Sequence, residues 1–180
     1  MAPDTPEPTR DHSERHAMAH ASPRLDYMQQ SPELFRKLVE FNMAIKKGGL
    51  VEEGIGDLIA IRASQINGCG FCLDMHLKQA RIHGAQELRL HHLAIWRESP
   101  LFSERERAAL DWTESLTRLP EHGVPEDVYQ ATRAEFGENG ITELTYLVVT
   151  INAWNRVNVA FRSLPGSADK AFGLDKAKFA

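Results

Sequence analysis

Cys69, Cys72 and His76 stand at i, i+3 and i+7 in the run N-G-C-G-F-C-L-D-M-H at 67–76, and a helix would bring all three to one face. Side chains three apart on a helix have Cβ atoms about 5–6 Å apart, close to what a disulfide needs once the first turn adjusts. Such a pair can pass between dithiol and disulfide without a change of fold, which is the geometric demand of thiol redox chemistry. The chemistry also needs thiolate, and a free cysteine with a pKa of about 8.5 is mostly protonated at neutral pH. Two devices answer this need. Cys69 falls at the expected helix start, where free backbone N–H groups and the positive end of the dipole favour an anion. His76, one turn beyond Cys72, can take that thiol's proton directly or through a water. The devices act on different sulfurs, so either cysteine is a candidate nucleophile.

Other readings of the trio weigh less. Cys69, Cys72 and His76 are suitable zinc ligands, but zinc takes a fourth, and structural sites usually recruit a second ligand pair. No second C-x-x-C or H-x-x-x-H falls in the part expected to fold. No metal or other cofactor is expected. An inert buried thiol pair is the bland alternative, and three potentially reactive groups on one face, with Gly68 and Gly70 around the first, argue against it.

Helices must position these groups, and the signals for them are dense from Ser31 onward. Ser31, Pro32 and Glu33 read as N-cap, N1 proline and early acid, and Leu34, Phe35, Leu38, Val39 and Phe41 keep helical spacing to the break at Gly48 and Gly49. A second helix is expected from about Glu52 to Asn67, with Ile55, Leu58, Ile59, Ala63 and Ile66 inward and Gly68 as its stop. A third starts near Cys69 and ends at Gly84, and a fourth covers Glu87 to Trp96. Ser103 and Glu106 form a capping box that opens a fifth, to about Leu116. Pro125 opens a sixth that Gly137 closes, and Thr142 caps a seventh to about Phe161. That last helix is apolar over nearly its whole girth between Leu144 and Trp154, so it belongs inside a bundle or in a subunit interface. The fold class is therefore all-α: one helical-bundle domain of about seven helices, with C-x-x-C at the start of a central helix.

Composition bounds the partners. The 180 residues carry 21 Lys and Arg against 25 Asp and Glu, a formal charge of −4, so nothing suggests a nucleic-acid partner. The best apolar run, Leu144 to Ile151, is far below the roughly 20 residues of a membrane span. Two cysteines three positions apart do not make a secreted disulfide scaffold, and the acid- and proline-bearing N-terminus has no apolar signal core. A cytoplasmic protein is expected. Residues 1–23 read as a flexible tail; His12, His16 and His20 would align on a helix there, but the composition disfavours one. Residues 24–166 are expected to form the domain and 167–180 a C-terminal tail.

The run from Asp57 to Gly84, with R-A-S-Q-I-N-G-C at 62–69, resembles the alkylhydroperoxidase D (AhpD) core of the carboxymuconolactone decarboxylase superfamily, and T-I-N-A-W-N-R at 150–156 is similar to that group's closing helix. The likeness extends over most of 24–166. It implies reduction of organic hydroperoxides: the cysteine matching Cys72 attacks the peroxide, the one matching Cys69 closes the disulfide, and the histidine matching His76 works with a glutamate twelve residues before the first cysteine. A dithiol partner, lipoyl or thioredoxin-like, then restores the enzyme, and the members are commonly trimers or hexamers. This chain departs at two points. The relay position is Asp57, one methylene shorter, with Glu53 one turn earlier as a substitute candidate; and Phe71 stands just before the second cysteine, where the best-studied peroxidases have histidine. The superfamily's lactone-decarboxylating branch does not use a cysteine pair. A non-enzymatic redox-responsive oligomer remains the alternative that only kinetics separates.

Outside the motif, structural roles are expected. Ser64 reads as packing, His83 as an imidazole near a helix C-terminus, and His91 and His92 as pointing apart, so that at most one faces the site. Trp96, Trp112 and Trp154 read as core or interface. Asn152, Asn155 and Asn158, poor helix formers on an apolar helix, should make buried hydrogen bonds or subunit contacts.

Overall fold

Pro32 at N1 and Glu33 behind it start the first long helix as expected, although the Ser31 hydroxyl makes no capping bond. In the computed structural model, which describes residues 22–177, this is α2 (Pro32–Gly48), preceded by the single turn α1 (Tyr27–Gln30). There follow α3 (Glu53–Asn67), α4 (Gly70–Ile82), α5 (Glu87–His92) running into a 3₁₀ turn (Leu93–Ile95), α6 (Glu104–Arg118), α7 (Glu126–Phe161), α8 (Asp169–Phe172) and a 3₁₀ turn (Leu174–Lys176). Among the described residues these are eight helices without a strand, an all-α bundle. His12, His16 and His20, with nearly all of the expected N-terminal tail, lie outside the described residues.

The centre is α3, which packs against α4, α6 and α7. Its sequence is apolar on two sides. Ile55, Ile59, Ala60 and Ala63 enter one core with Phe71, Trp112, Leu144, Val148 and Ile151. Leu58 and Ile61 enter a second core with Leu90, Leu93, Trp96, Phe102 and Leu110. Apolar groups all round a helix have no stable place except between layers. The capping box holds as read, with Glu106 N donating to Ser103 Oγ and Ser103 N to Glu106 Oε2.

Two boundaries differ from expectation. Gly137 closes a helix, but the next begins at once with Glu138: its φ of +66° with ψ of −179° kinks α7 without a loop, a conformation open to glycine. Thr142 is therefore no cap; it lies inside the helix and donates to Glu138 O at 2.8 Å, a bond threonine makes readily in mid-helix. The closing part of α7 is also covered on one flank only. Leu144, Val148 and Ile151 are buried, whereas Tyr146, Val149 and Val159 are exposed. At the other end, residues 167–177, set aside as a tail by the sequence reading, fold back on α4, with Leu174 buried.

Candidate active site

Gly68, at φ +64°, ends α3 in a left-handed turn, and the chain re-enters a helix within two residues. Cys69 is the N-cap of α4: its sulfur accepts from the Cys72 backbone N–H at 3.4 Å, the task usually given to Ser, Thr, Asp or Asn. Both thiols are free and buried. The Cys72 thiol donates to Cys69, and the Cys72 and Phe71 N–H groups and Asn155 add to that bond, so Cys69 is lowered to about 7 against the burial that opposes it. Cys72, which gives that hydrogen bond and is itself buried, is held well above the usual thiol range. The reduced pair shares a proton, with the charge resting on Cys69.

A run of amides from α7 supports the pair. Asn67 Nδ2 donates to Asn152 Oδ1 and Asn155 Oδ1, each at 2.9 Å. Asn152 donates to Thr117 Oγ1 and Asn155 to Ser64 Oγ, both at 3.0 Å. Asn158 Nδ2 reaches Cys72 Sγ at 3.4 Å, and its Oδ1 accepts from the Tyr27 hydroxyl at 3.2 Å. The buried hydrogen bonds expected of Asn152, Asn155 and Asn158 are made, and Ser64 is their partner as well as a packing residue.

Cys72, and not Cys69, borders a cavity of about 560 Å³. Its walls are mainly apolar: Phe35, Val39, Phe71, Met75, Leu147, Ile151 and Trp154, with Phe172 and Leu174 from the C-terminal segment. His76 and Asp57 lie on the same wall system. Desolvation and the charge of Lys46, opposed by a bond to Gln79, bring His76 down to about 4, so its ring is neutral throughout the physiological range and holds an added proton only weakly. Burial raises the Asp57 carboxyl, against the hydrogen bond from His83. That bond, His83 Nδ1 to Asp57 Oδ2, is 2.7 Å.

The structure thus sets Cys72, His76 and Asp57 on one cavity, with Cys69 at the N-cap of α4, but gives Asp57 a different histidine, His83, as its partner. Glu53, the substitute candidate, also lines the cavity and contacts the same His83 at 3.3 Å. His92 bonds Ser99 and His91 is exposed beside Glu87; neither lines the cavity. Trp96 and Trp112 are core residues, while Trp154 is a wall of the cavity. Sequence reasoning missed Tyr27, which lies before the first strong helix signal, and Phe172 and Leu174. Among the described residues no group of three or more His, Cys, Asp or Glu side chains is arranged to hold a metal, so the Cys2His metal alternative gains no geometric support. No helix there is long and apolar enough to cross a membrane.

Comparison with known proteins places this site in context. Residues 32–115 match the carboxymuconolactone decarboxylase family. The chain is 34% identical over 139 residues to the uncharacterized protein YdfG of Bacillus subtilis (strain 168), which covers 77% of this chain and 94% of that one. The crystal structure of an Agrobacterium tumefaciens protein of unknown function, named for the antioxidant defence protein AhpD, matches with a TM-score of 0.77 at 39% identity, over 80% of this chain and 98% of that one. The debrominase Bmp8 shares the fold at 20% identity, with a TM-score of 0.71 over 84% of this chain and 80% of that one.

Proposed function

Because this chain belongs to the carboxymuconolactone decarboxylase superfamily as an AhpD-like member, and that superfamily contains enzymes, we propose that it reduces organic hydroperoxides through Cys69 and Cys72. One observation carries the reading: the sulfur that borders the large apolar cavity is Cys72, with Cys69 behind it at the helix N-cap. An apolar cavity of this size suits a bulky organic peroxide better than hydrogen peroxide.

The electrons balance as follows. The proton of Cys72 moves to the Cys69 thiolate or to His76, and the Cys72 thiolate attacks the terminal peroxide oxygen. An S–O bond forms, the O–O bond breaks, and the alkoxide leaves as alcohol after taking the proton that Cys72 gave up, which leaves Cys69 a thiolate. The Cys69 thiolate then attacks the sulfenic acid at Cys72; the S–S bond forms and hydroxide leaves, taking one proton from solvent to become water. One hydroperoxide becomes alcohol and water, and two thiols become a disulfide. A dithiol, lipoyl or thioredoxin-like, reduces it by exchange. His76 accepts and returns protons beside Cys72, and Asp57 holds the relay's carboxylate. A reductant of this kind, and thiols kept reduced between turnovers, fit the cytoplasm. The exposed flank of Tyr146, Val149 and Val159 suits a homo-oligomer, a trimer or hexamer.

The test is loss of free thiols in reduced protein after one equivalent of cumene hydroperoxide, beside Cys69→Ser and Cys72→Ser. Rapid loss of both thiols is expected, with Cys72→Ser inert and Cys69→Ser trapped as a sulfenic acid. Thiols that survive for hours would sink the reading.

A further inference from the structure

Tyr27 sits outside the motif that carries the chemistry, yet its side chain is built into the site. The one-turn helix α1 is capped by Asp26, whose Oδ1 accepts from the Met28 and Gln29 N–H groups. The ring stacks on Phe161 at 5.7 Å and meets Phe35 edge-on at 6.2 Å, which fixes the direction of the hydroxyl. That hydroxyl donates to Asn158 Oδ1 at 3.2 Å. Asn158 is buried, and its Nδ2 has two acceptors, Trp154 O at 2.9 Å and Cys72 Sγ at 3.4 Å.

An amide can present either end to a neighbour, and the two ends have opposite effects on a thiolate. With Nδ2 toward the sulfur the amide stabilises the anion; with Oδ1 toward it, the anion is repelled. The Trp154 carbonyl, which can only accept, and the Tyr27 hydroxyl, placed to donate to Oδ1, together hold Nδ2 toward the sulfur. Resting on the proposed function above, we propose that Asn158 is a catalytic residue that donates to the Cys72 thiolate, and that Tyr27 is the positioning residue that holds the Asn158 amide in the orientation to do so. The pair works against the bias that leaves the charge on Cys69, so that a thiolate on the sulfur facing the cavity is stabilised once its proton has moved. After attack, the same N–H group is in place to receive the oxygen-bearing sulfur.

The titratable groups around Cys72 bound what an experiment can read. They are Cys69 and His76 on α4, Tyr27 on α1, Lys46 on α2, Glu52 just before α3, Glu53 and Asp57 on α3, and Glu143 on α7. Changing Cys69 to Ser removes the strongest of these couplings. The sequence has two cysteines, so with Cys69 changed to Ser the alkylation step belongs to Cys72.

The experiment uses the full chain with Cys69→Ser and follows the rate of iodoacetamide alkylation of Cys72 against pH, with and without Tyr27→Phe. This variant keeps the ring and its stacking and removes only the hydroxyl. The alkylation midpoint is expected to rise by about one pH unit, a tenfold loss of thiolate at neutral pH that alkaline pH restores. In an Asn158→Leu background, Tyr27→Phe should add less than about twofold, because the hydroxyl acts through the amide. Superimposable profiles with and without the hydroxyl, or a full effect of Tyr27→Phe that persists in Asn158→Leu, would overturn the proposal. If Asn158→Leu does not fold, the Tyr27→Phe profile alone decides. Alkylation does not involve peroxide, so a shifted profile in a protein inert to cumene hydroperoxide would fail the peroxidase reading and leave this inference standing.

Discussion

His83 Nδ1 donates to Asp57 Oδ2 at 2.7 Å, and the other nitrogen of the same ring stands 3.3 Å from Glu53 Oε1. The imidazole thus bridges two carboxylates one turn apart on α3. Asp57 borders the cavity, while the Glu53 side chain is 71% exposed, so the buried carboxylate has a polar route to solvent. If Asp57 and His83 act as one unit in the relay, their substitutions will not add. Asp57→Asn is expected to slow thiol oxidation by cumene hydroperoxide about 10–100-fold, His83→Ala by less, and the double variant no more than Asp57→Asn alone. Stopped-flow tryptophan fluorescence measures the rates; losses that multiply would separate the two residues. Stability should not follow activity. The folded pKa of Asp57 is raised, so its contribution is full at acid pH and lost as pH rises through that pKa. At neutral pH Asp57→Asn should melt no lower than the parent.

The two sulfurs titrate as a pair, and their order is a prediction. Cys69 is lowered to about 7 while Cys72 is raised, so far-ultraviolet thiolate absorbance of reduced protein should show one thiolate forming near pH 7. No second should form below about pH 10. Two equal steps near the ordinary thiol pKa would mean that the shared proton and the N-cap do not act on the pair.

Much of this site was legible because its signals are local. Cys69, Cys72 and His76 share a helix face by spacing alone, and Asn152, Asn155 and Asn158 announce buried hydrogen bonds by their incongruity on an apolar helix. What escaped depends on contacts between distant elements. Asp57 and His83 are 26 positions apart, and Tyr27 and Asn158 are 131 apart; neither pair has a local pattern to mark it. Glycine usually stops a helix, so Gly137 reads as an end, and nothing in the composition says that the next turn begins at Glu138. The segment around Leu174 reads as a tail because a four-residue helix has little propensity of its own; its place comes from Lys78 and the cavity wall.

Glu114 anchors the fold away from the cavity. Its carboxylate, whose side chain is 3% exposed, accepts from Trp96 Nε1 at 2.9 Å, Arg62 Nε at 2.7 Å, Arg97 at 2.8 Å and Arg118 at 2.6 Å. Against the desolvation that opposes them, the bonds from Trp96, Arg97 and Arg62 lower it from 4.5 to about 2. Taken in full, that shift is worth about 3 kcal/mol. Arg97 and Arg118 are more than half exposed, and screening reduces the figure to about 2 kcal/mol. The folded pKa is depressed, so this stability is complete above about pH 4.5 and is lost as pH falls toward 2. Glu114→Gln should lower the melting temperature by about 4–8 °C at pH 7, and the gap should close in acid. A constant gap across that range would remove the carboxylate's charge from the account.

The C-terminal segment is held by charge and closes the cavity with two side chains. Lys78 Nζ lies 2.7 Å from both Asp74 Oδ2 and Asp169 Oδ2, and Asp74 Oδ2 also accepts from Gly166 N at 2.9 Å. This clamp ties the start of α8 to α4 and keeps Phe172 and Leu174 on the cavity wall. Leu174 is 5% exposed, and Leu174→Ala is expected to cost about 2 kcal/mol, near the low end for a buried leucine because the cavity beside it is already open. The melting temperature should fall by about 4–8 °C. Catalysis should respond by substrate size. A bulky peroxide such as cumene hydroperoxide loses a wall, so its KM should rise several-fold with kcat unchanged, the pattern of lost uniform binding. Hydrogen peroxide makes no use of that wall, and its rate should stay within about twofold. Equal losses for the two peroxides would mean that the segment supports the fold without shaping the substrate site.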